Sequence, residues 1–186
     1  MGRNDLSDLA GTDVLAVMSK VYKSGCNSCE LSDDRLYRYS FRHEIEGARS
    51  GKTIVWIGLN PTADCLDKLD KTMMRVLDFS KRLGYGSFIM LNAFAYIAKN
   101  EKELYRGSNQ VGSENDAVIK RCIDGNPTIV CAWGDGIVLN SRVDGLRKVL
   151  SGHKLFCLKL TKAGNPHHPL RVRKTEMLKS FQFEDL

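Results

Sequence analysis

The chain has 186 residues, 42% hydrophobic and 27% charged, with no low-complexity tract, which excludes a disordered or fibrous protein and predicts one globular domain. Its 28 basic residues against 22 acidic ones leave a formal charge of +6, a balance that favours a polyanionic partner. The longest apolar runs, such as IVWIGL at 54–59, are too short to span a bilayer, and the polar start MGRNDLSDLAG has no signal-peptide pattern; a cytoplasmic protein without a membrane partner is expected.

In chain order, residues 6–22 place Leu9, Val14, Val17, Met18 and Val21 at helical spacing, which predicts a leading helix. RLYRYSFRHEI at 35–45 alternates, with Tyr37, Tyr39 and Phe41 on one face, as a half-buried edge strand does. KTIVWIGL at 52–59 reads as a central strand buried on both faces and ends in the turn NPT. A helix over 73–86 stopping at Gly84, a strand SFIMLN ending at Asn92 and a polar loop over 98–112 follow. Then come a helix over 113–123 with an N-cap serine, a strand over 127–134, a helix over 142–152 and a strand over 153–161.

This alternation predicts an α/β fold: a three-layer α/β/α sandwich with a central, mainly parallel four-stranded sheet, plus an N-terminal helix and an edge strand. The expected division of the single domain 1–186 is a helical extension over 1–34, a core over 35–175 and a tail over 176–186. In such a sheet the ligand site lies beyond the carboxyl ends of the strands. Those ends read GLNPTADC, NAFAY, WGDG and TKAGNPHHPLR, so Asn60, Asp64, Asp67, Asp70, Thr72, Asn92, Asn165, His167 and His168 converge on one rim. No GxxxxGK[ST], GxGxxG or GxSxG stands in the strand-to-helix turns, which removes the commonest nucleotide-binding and hydrolase classes.

An asparagine between a buried strand and a proline is held by rigid backbone and offers one acceptor and two donors to a water or a base edge. A facing imidazole can donate to an oxygen gaining charge or exchange a proton near neutral pH. The last 30 residues concentrate Lys159, Lys162, Arg171, Arg173, Lys174 and Lys179, enough to neutralise several phosphates. Of the six cysteines, Cys131 and Cys157 sit in apolar runs as core thiols, while Cys26 and Cys29 form one CxxC, a metal half-site with no second CxxC to complete it.

GLNPT resembles the G-x-N-P motif of the uracil-DNA glycosylase-like superfamily, AWGDGI its strand ending in WG or LG, and GNPHHPL its closing loop. More closely, YRYSF, WIGLNPTADCLDKLDKT, LGYGSFIMLNAFAY, GSEND, CAWGDG and GNPHHPL resemble the family called domain of unknown function 1643, over residues 37–175. The superfamily resemblance implies a DNA base glycosylase acting as a monomer on duplex DNA with a flipped base. Asn60 would orient the attacking water, with Asp64 or Asp70 as base, and His168, or His167 beside it, would face the leaving base. Gly58, Leu59, Pro61, Asn92, Phe94 and His167 would form the base pocket. Asn165, Pro169, Leu170, Arg171, Arg173 and Lys174 would wedge into and clamp the strand. The histidine of P-H-H-P-L is displaced from the superfamily's HPSPL position, and NAFAY has no cysteine where the iron–sulfur branch has a ligand, so no metal or cofactor is expected. The alternatives are a domain that recognises modified nucleotides without cleaving them, and a hydrolase of free nucleosides or nucleotides.

Overall fold

β-branched and aromatic runs separated by glycine, asparagine and proline build the sheet in this computed structural model, which describes residues 19–63, 65–106, 109–137 and 140–183. The strands are β1 (Ser19–Ser24), β2 (Asn27–Ser32), β3 (Arg38–Glu44), β4 (Thr53–Gly58), β5 (Ser87–Asn92), β6 (Thr128–Cys131), β7 (Leu155–Cys157) and β8 (Lys179–Phe181). The helices are α1 (Lys71–Arg82), α2 (Glu101–Leu104), α3 (Asn115–Ile123) and α4 (Asn140–Val149).

The expected fold class is corrected: the strands form one eight-stranded mixed sheet in the order β1-β2-β3-β5-β4-β6-β7-β8, not a mainly parallel sheet of four. The ladders β1/β2, β2/β3, β3/β5 and β7/β8 are antiparallel, and only β5/β4, β4/β6 and β6/β7 are parallel. The extra strands come from segments whose apolar content is too low to read as strands. SKVYKS and NSCELS pair through a tight turn at Gly25, whose positive φ of 54° suits a hairpin. Of the helix expected over 6–22, residues 6–18 lie outside the described residues and Ser19–Tyr22 are strand, with Val21 facing solvent. The expected helical extension over 1–34 therefore contains a hairpin, and the expected tail contains β8. The segment expected as an edge strand is internal, because β2 pairs on one side of β3 and β5 on the other. The polar loop over 98–112 contains the short α2, capped by the Asn100 side chain on Glu103 N.

The central strands send alternate residues to two hydrophobic clusters. Ile54, Trp56, Phe88, Met90 and Val130 meet Met73, Val76, Leu77 and Phe79 of α1. Val55, Ile57, Leu91, Ile129 and Cys131 meet residues of α3 and α4 on the other face. Helix α1 is anchored at its start by Asp70, whose Oδ1 accepts from Met73 N at 2.8 Å, and Trp56 Nε1 donates to its buried Ser80 Oγ at 3.2 Å. No described helix is long and apolar enough to cross a membrane.

A bulge breaks the alternation in β3. Glu30 of β2 faces Ser40 while its neighbour Leu31 faces Arg38, so Tyr39 is the extra residue. The expectation that Tyr39 and Phe41 share a face is thereby corrected: Tyr39 joins the α3/α4 cluster and Phe41 the α1 cluster. Arg38 is turned to the same side as Phe41, its guanidinium carbon 5.6 Å from that ring's centre.

Gly86 at the entry to β5 is fixed by close approach. A Cβ there would lie 1.6 Å from Ser50 O, a backbone atom that cannot swing away. Gly86→Ala is expected to destabilise the fold by about 3 kcal/mol, read as a lower denaturant midpoint at unchanged slope.

Candidate functional site

The carboxyl ends of β4, β5 and β6 and the loop after β7 enclose a cavity of about 940 Å³. From the first loop it is bordered by Gly58, Leu59, Asn60, Pro61 and Thr62. Backbone bonds fix this loop to the end of β5, Ala93 N donating to Gly58 O at 2.8 Å and Phe94 N to Leu59 O at 2.9 Å. The Asn60 amide completes the splice: Nδ2 donates to Ala98 O at 2.8 Å and to Pro61 O at 2.9 Å. Both of its hydrogens are spent in this way, so what Asn60 can offer a ligand is the acceptor Oδ1.

Asp70 also borders the cavity. Its Oδ1 holds the cap of α1, and its Oδ2 accepts from Thr62 Oγ1 at 3.0 Å and from Cys65 Sγ at 3.8 Å. Thr72 is present at the wall, whereas Asp67 is drawn away to Ser24 Oγ at 3.1 Å. Asp64 lies outside the described residues.

Asn92, the last residue of β5, borders the same cavity although it is only 1% exposed. Neither Nδ2 nor Oδ1 has a hydrogen-bond partner. Leaving both ends of a buried amide unpaired costs about 1–3 kcal/mol per group, so an amide in that state beside open space is placed to pair with whatever donor and acceptor occupy the cavity. The glycine at position 58 makes room for it: a Cβ there would approach Asn92 Oδ1 to 3.0 Å and Met90 Cε to 2.5 Å. Phe94 does not border the cavity. It is fully buried, edge-on to Tyr105 with ring centres 5.8 Å apart.

The closing loop is built on the strand-end loop after β6. Asp135 Oδ1 accepts from Thr161 Oγ1 at 2.6 Å and from Asn165 Nδ2 at 3.0 Å, and these bonds hold its carboxyl below the usual range. Gly134 N donates to Pro166 O at 2.7 Å, and His167 N to Lys159 O at 2.8 Å. Asn165 is thus a splice between loops and not part of the cavity wall. Both His167 and His168 are in that wall. His168 Nδ1 accepts from Leu170 N at 3.3 Å, an arrangement that places the proton of the neutral ring on Nε2. Burial, and then the nearby Arg171, push the His168 pKa below the ordinary imidazole value. The group it presents near neutral pH is an uncharged N–H donor.

Leu170 and Arg171 stand at the mouth, both exposed, with Leu170 40% accessible. Arg173 and Lys174 lie outside the wall, and Lys174 pairs with Asp78 of α1 at 3.5 Å. Pro169 is buried and stiffens the short turn that carries Leu170.

Sequence reasoning overlooked Arg38 and Trp133, two further wall residues. Arg38 is 3% exposed; Nη1 donates to Ala63 O at 2.7 Å and Nε has no partner. Trp133 Nε1 is likewise buried and unpartnered, while its ring packs against Phe181 and Phe183. The signal for Arg38 was a charge inside the aromatic run YRYSF, but strict alternation sends it to the wrong face. Neither Cys26 nor Cys29 is part of this wall, and Cys26 Sγ lies 3.2 Å from Glu46 Oε1. Among the described residues, no group of three or more His, Cys, Asp or Glu side chains is placed to hold a metal ion.

No curated protein and no solved structure matches the chain. One family model does, over residues 38–170, from the bulged arginine to the leucine at the cavity mouth. The segment contains all the wall residues except Arg171 and covers well over half of the chain. The chain therefore belongs to the family described as protein of unknown function (DUF1643).

Proposed function

We propose that this protein is a nucleobase-releasing hydrolase, a glycosylase-like enzyme that takes a modified or damaged base flipped out of DNA and cleaves its N-glycosidic bond. The observation that carries the reading is the Asn92 amide, buried with both polar atoms unpaired at the cavity wall. A nucleobase edge presents adjacent donors and acceptors, which a fixed amide reads in bidentate fashion. The carbon–nitrogen bond breaks with its electron pair passing to the base, and the His168 Nε2–H donates to the charge that develops there. Water accepted by Asn60 Oδ1 adds to the sugar carbon. Its proton leaves through the Asp70 carboxylate, an acidic wall residue that Thr62 of that loop already contacts. Exposed Leu170, with Arg171, Arg173 and Lys174 around it, suits insertion into a strand whose phosphates the cations hold.

One observation favours recognition without cleavage: both Asp70 oxygens are already engaged, in the α1 cap and on Thr62. Alkali treatment of duplex oligonucleotides carrying single modified bases, after incubation with the protein, separates the two. Strand breaks are expected with the wild type and a drop of about 10²-fold in their rate with Asn60→Ala. Retention of the oligonucleotide without breaks would move the assignment to recognition alone.

A further inference from the structure

Arg38 raises a question of charge that the glycosidic chemistry leaves unanswered. A guanidinium at 3% exposure is a buried ion, and buried ions in folded proteins are paired. Among the described residues none provides a carboxylate within ion-pair distance of it. Its contacts are the Ala63 carbonyl at 2.7 Å, the Cys65 thiol and the face of Phe41 at 5.6 Å, none of them a carboxylate, and Nε has no acceptor. Burial depresses its pKa, which Cys65 and then Asp70 partly offset, yet a guanidinium stays charged at any ordinary pH. The bulge at Tyr39 is what turns this charge into the cavity wall, and bulges recur where a strand re-aims a side chain toward a ligand. Thr62 and Thr72 belong to the same wall.

We propose that Arg38 is the anion-binding residue of the cavity and that its counter-charge is a phosphate oxygen of the bound nucleotide unit, either an internal phosphodiester or a terminal phosphate. A planar fork of N–H donors matches two oxygens of one phosphate, and at a buried guanidinium such charge-assisted bonds are strong. The free protein then keeps an unpaired charge that the ligand relieves, so the arginine costs stability until it is occupied. This identification of the anion rests on the nucleotide-binding reading of the cavity; the presence of an anion site on Arg38 does not.

Thermal melting of the full chain, titrated with inorganic phosphate, tests the anion site by itself. The wild type is expected to gain melting temperature with phosphate. Arg38→Met is expected to melt at or above the wild-type temperature without phosphate and to show no gain with it; Arg38→Lys should retain part of the gain. A nucleoside 5′-monophosphate and an oligonucleotide lacking terminal phosphates, compared with the corresponding nucleoside, then identify the source. At least tenfold tighter binding than the nucleoside, lost in Arg38→Met, is expected from whichever carries the relevant phosphate. Equal phosphate stabilisation of wild type and Arg38→Met, or none of either, would overturn the proposal, as would a lower melting temperature in Arg38→Met with no phosphate dependence in the wild type. Phosphate binding without base release would defeat the hydrolase and leave Arg38 as assigned.

Discussion

Asn92→Leu is expected to lower kcat/KM for base release by about 10²- to 10³-fold while raising the stability of the free protein by about 1 kcal/mol. The two effects have one cause. In the free protein the Asn92 amide is buried at 1% exposure with neither end bonded, so a leucine, which has the same branching and whose bulkier methyls face the cavity, removes a desolvation cost and keeps the packing against the end of β5. In the complex the same amide is the group that pairs with the base edge, and a hydrocarbon leaves the base's donor and acceptor unpaired. Steady-state kinetics and a denaturation curve on the same preparation check both halves. A variant that lost activity and stability together would show that Asn92 holds the fold and does not read a ligand.

His168 governs the second large effect. His168→Ala is expected to cost about 10²-fold in rate, since it removes the neutral N–H donor at the cavity wall and the acceptor for Leu170 N. The sign of its pH dependence follows from its lowered pKa. Protonation is harder in the folded state than in the unfolded chain, so below the unfolded imidazole value of about 6.5 the unfolded state binds more protons. Stability from this residue is complete above that value and is lost as pH falls from it toward the depressed folded value. His43 shifts in the same direction, from burial and then Lys81, and contributes the same sign. The melting temperature of the wild type should therefore fall more steeply below pH ~6.5 than that of His168→Gln, with part of the slope persisting in the variant through His43. Identical slopes would remove His168 from the half-buried, neutral state assigned to it.

What could be read in advance followed the strength of the local signal. KTIVWIGL, SFIMLN and PTIVCAWG are apolar enough to be buried strands, and the loops after them do meet around one cavity. The N-terminal hairpin was illegible because SKVYKS and NSCELS are polar and short, while Val21 supplied a false helical spacing from a solvent-facing position. β8 was hidden for the same reason: Lys179 and Ser180 are exposed, and only Phe181 reaches the core. Asn60, Asn92, His167 and His168 could be selected as polar residues at strand ends, but their states could not. That Asn60 keeps only its acceptor depends on the Ala98 carbonyl brought in by the fold beside that of its neighbour Pro61, and that Asn92 keeps both ends free depends on what packs around the end of β5. Phe94 looked equally available and is sequestered in the core, because the chain turns it toward Tyr105. Arg38 was missed because a bulge, which depends on the pairing partner β2, reverses its face.

The most direct measurement is mass spectrometry of the products when duplex oligonucleotides, each carrying one modified base, are incubated with the protein. Release of a free base together with a strand bearing an abasic site, absent with Asn92→Leu, is the result expected of a nucleobase-releasing hydrolase. Oligonucleotides recovered intact across such a panel, with protein bound to them, would contradict it.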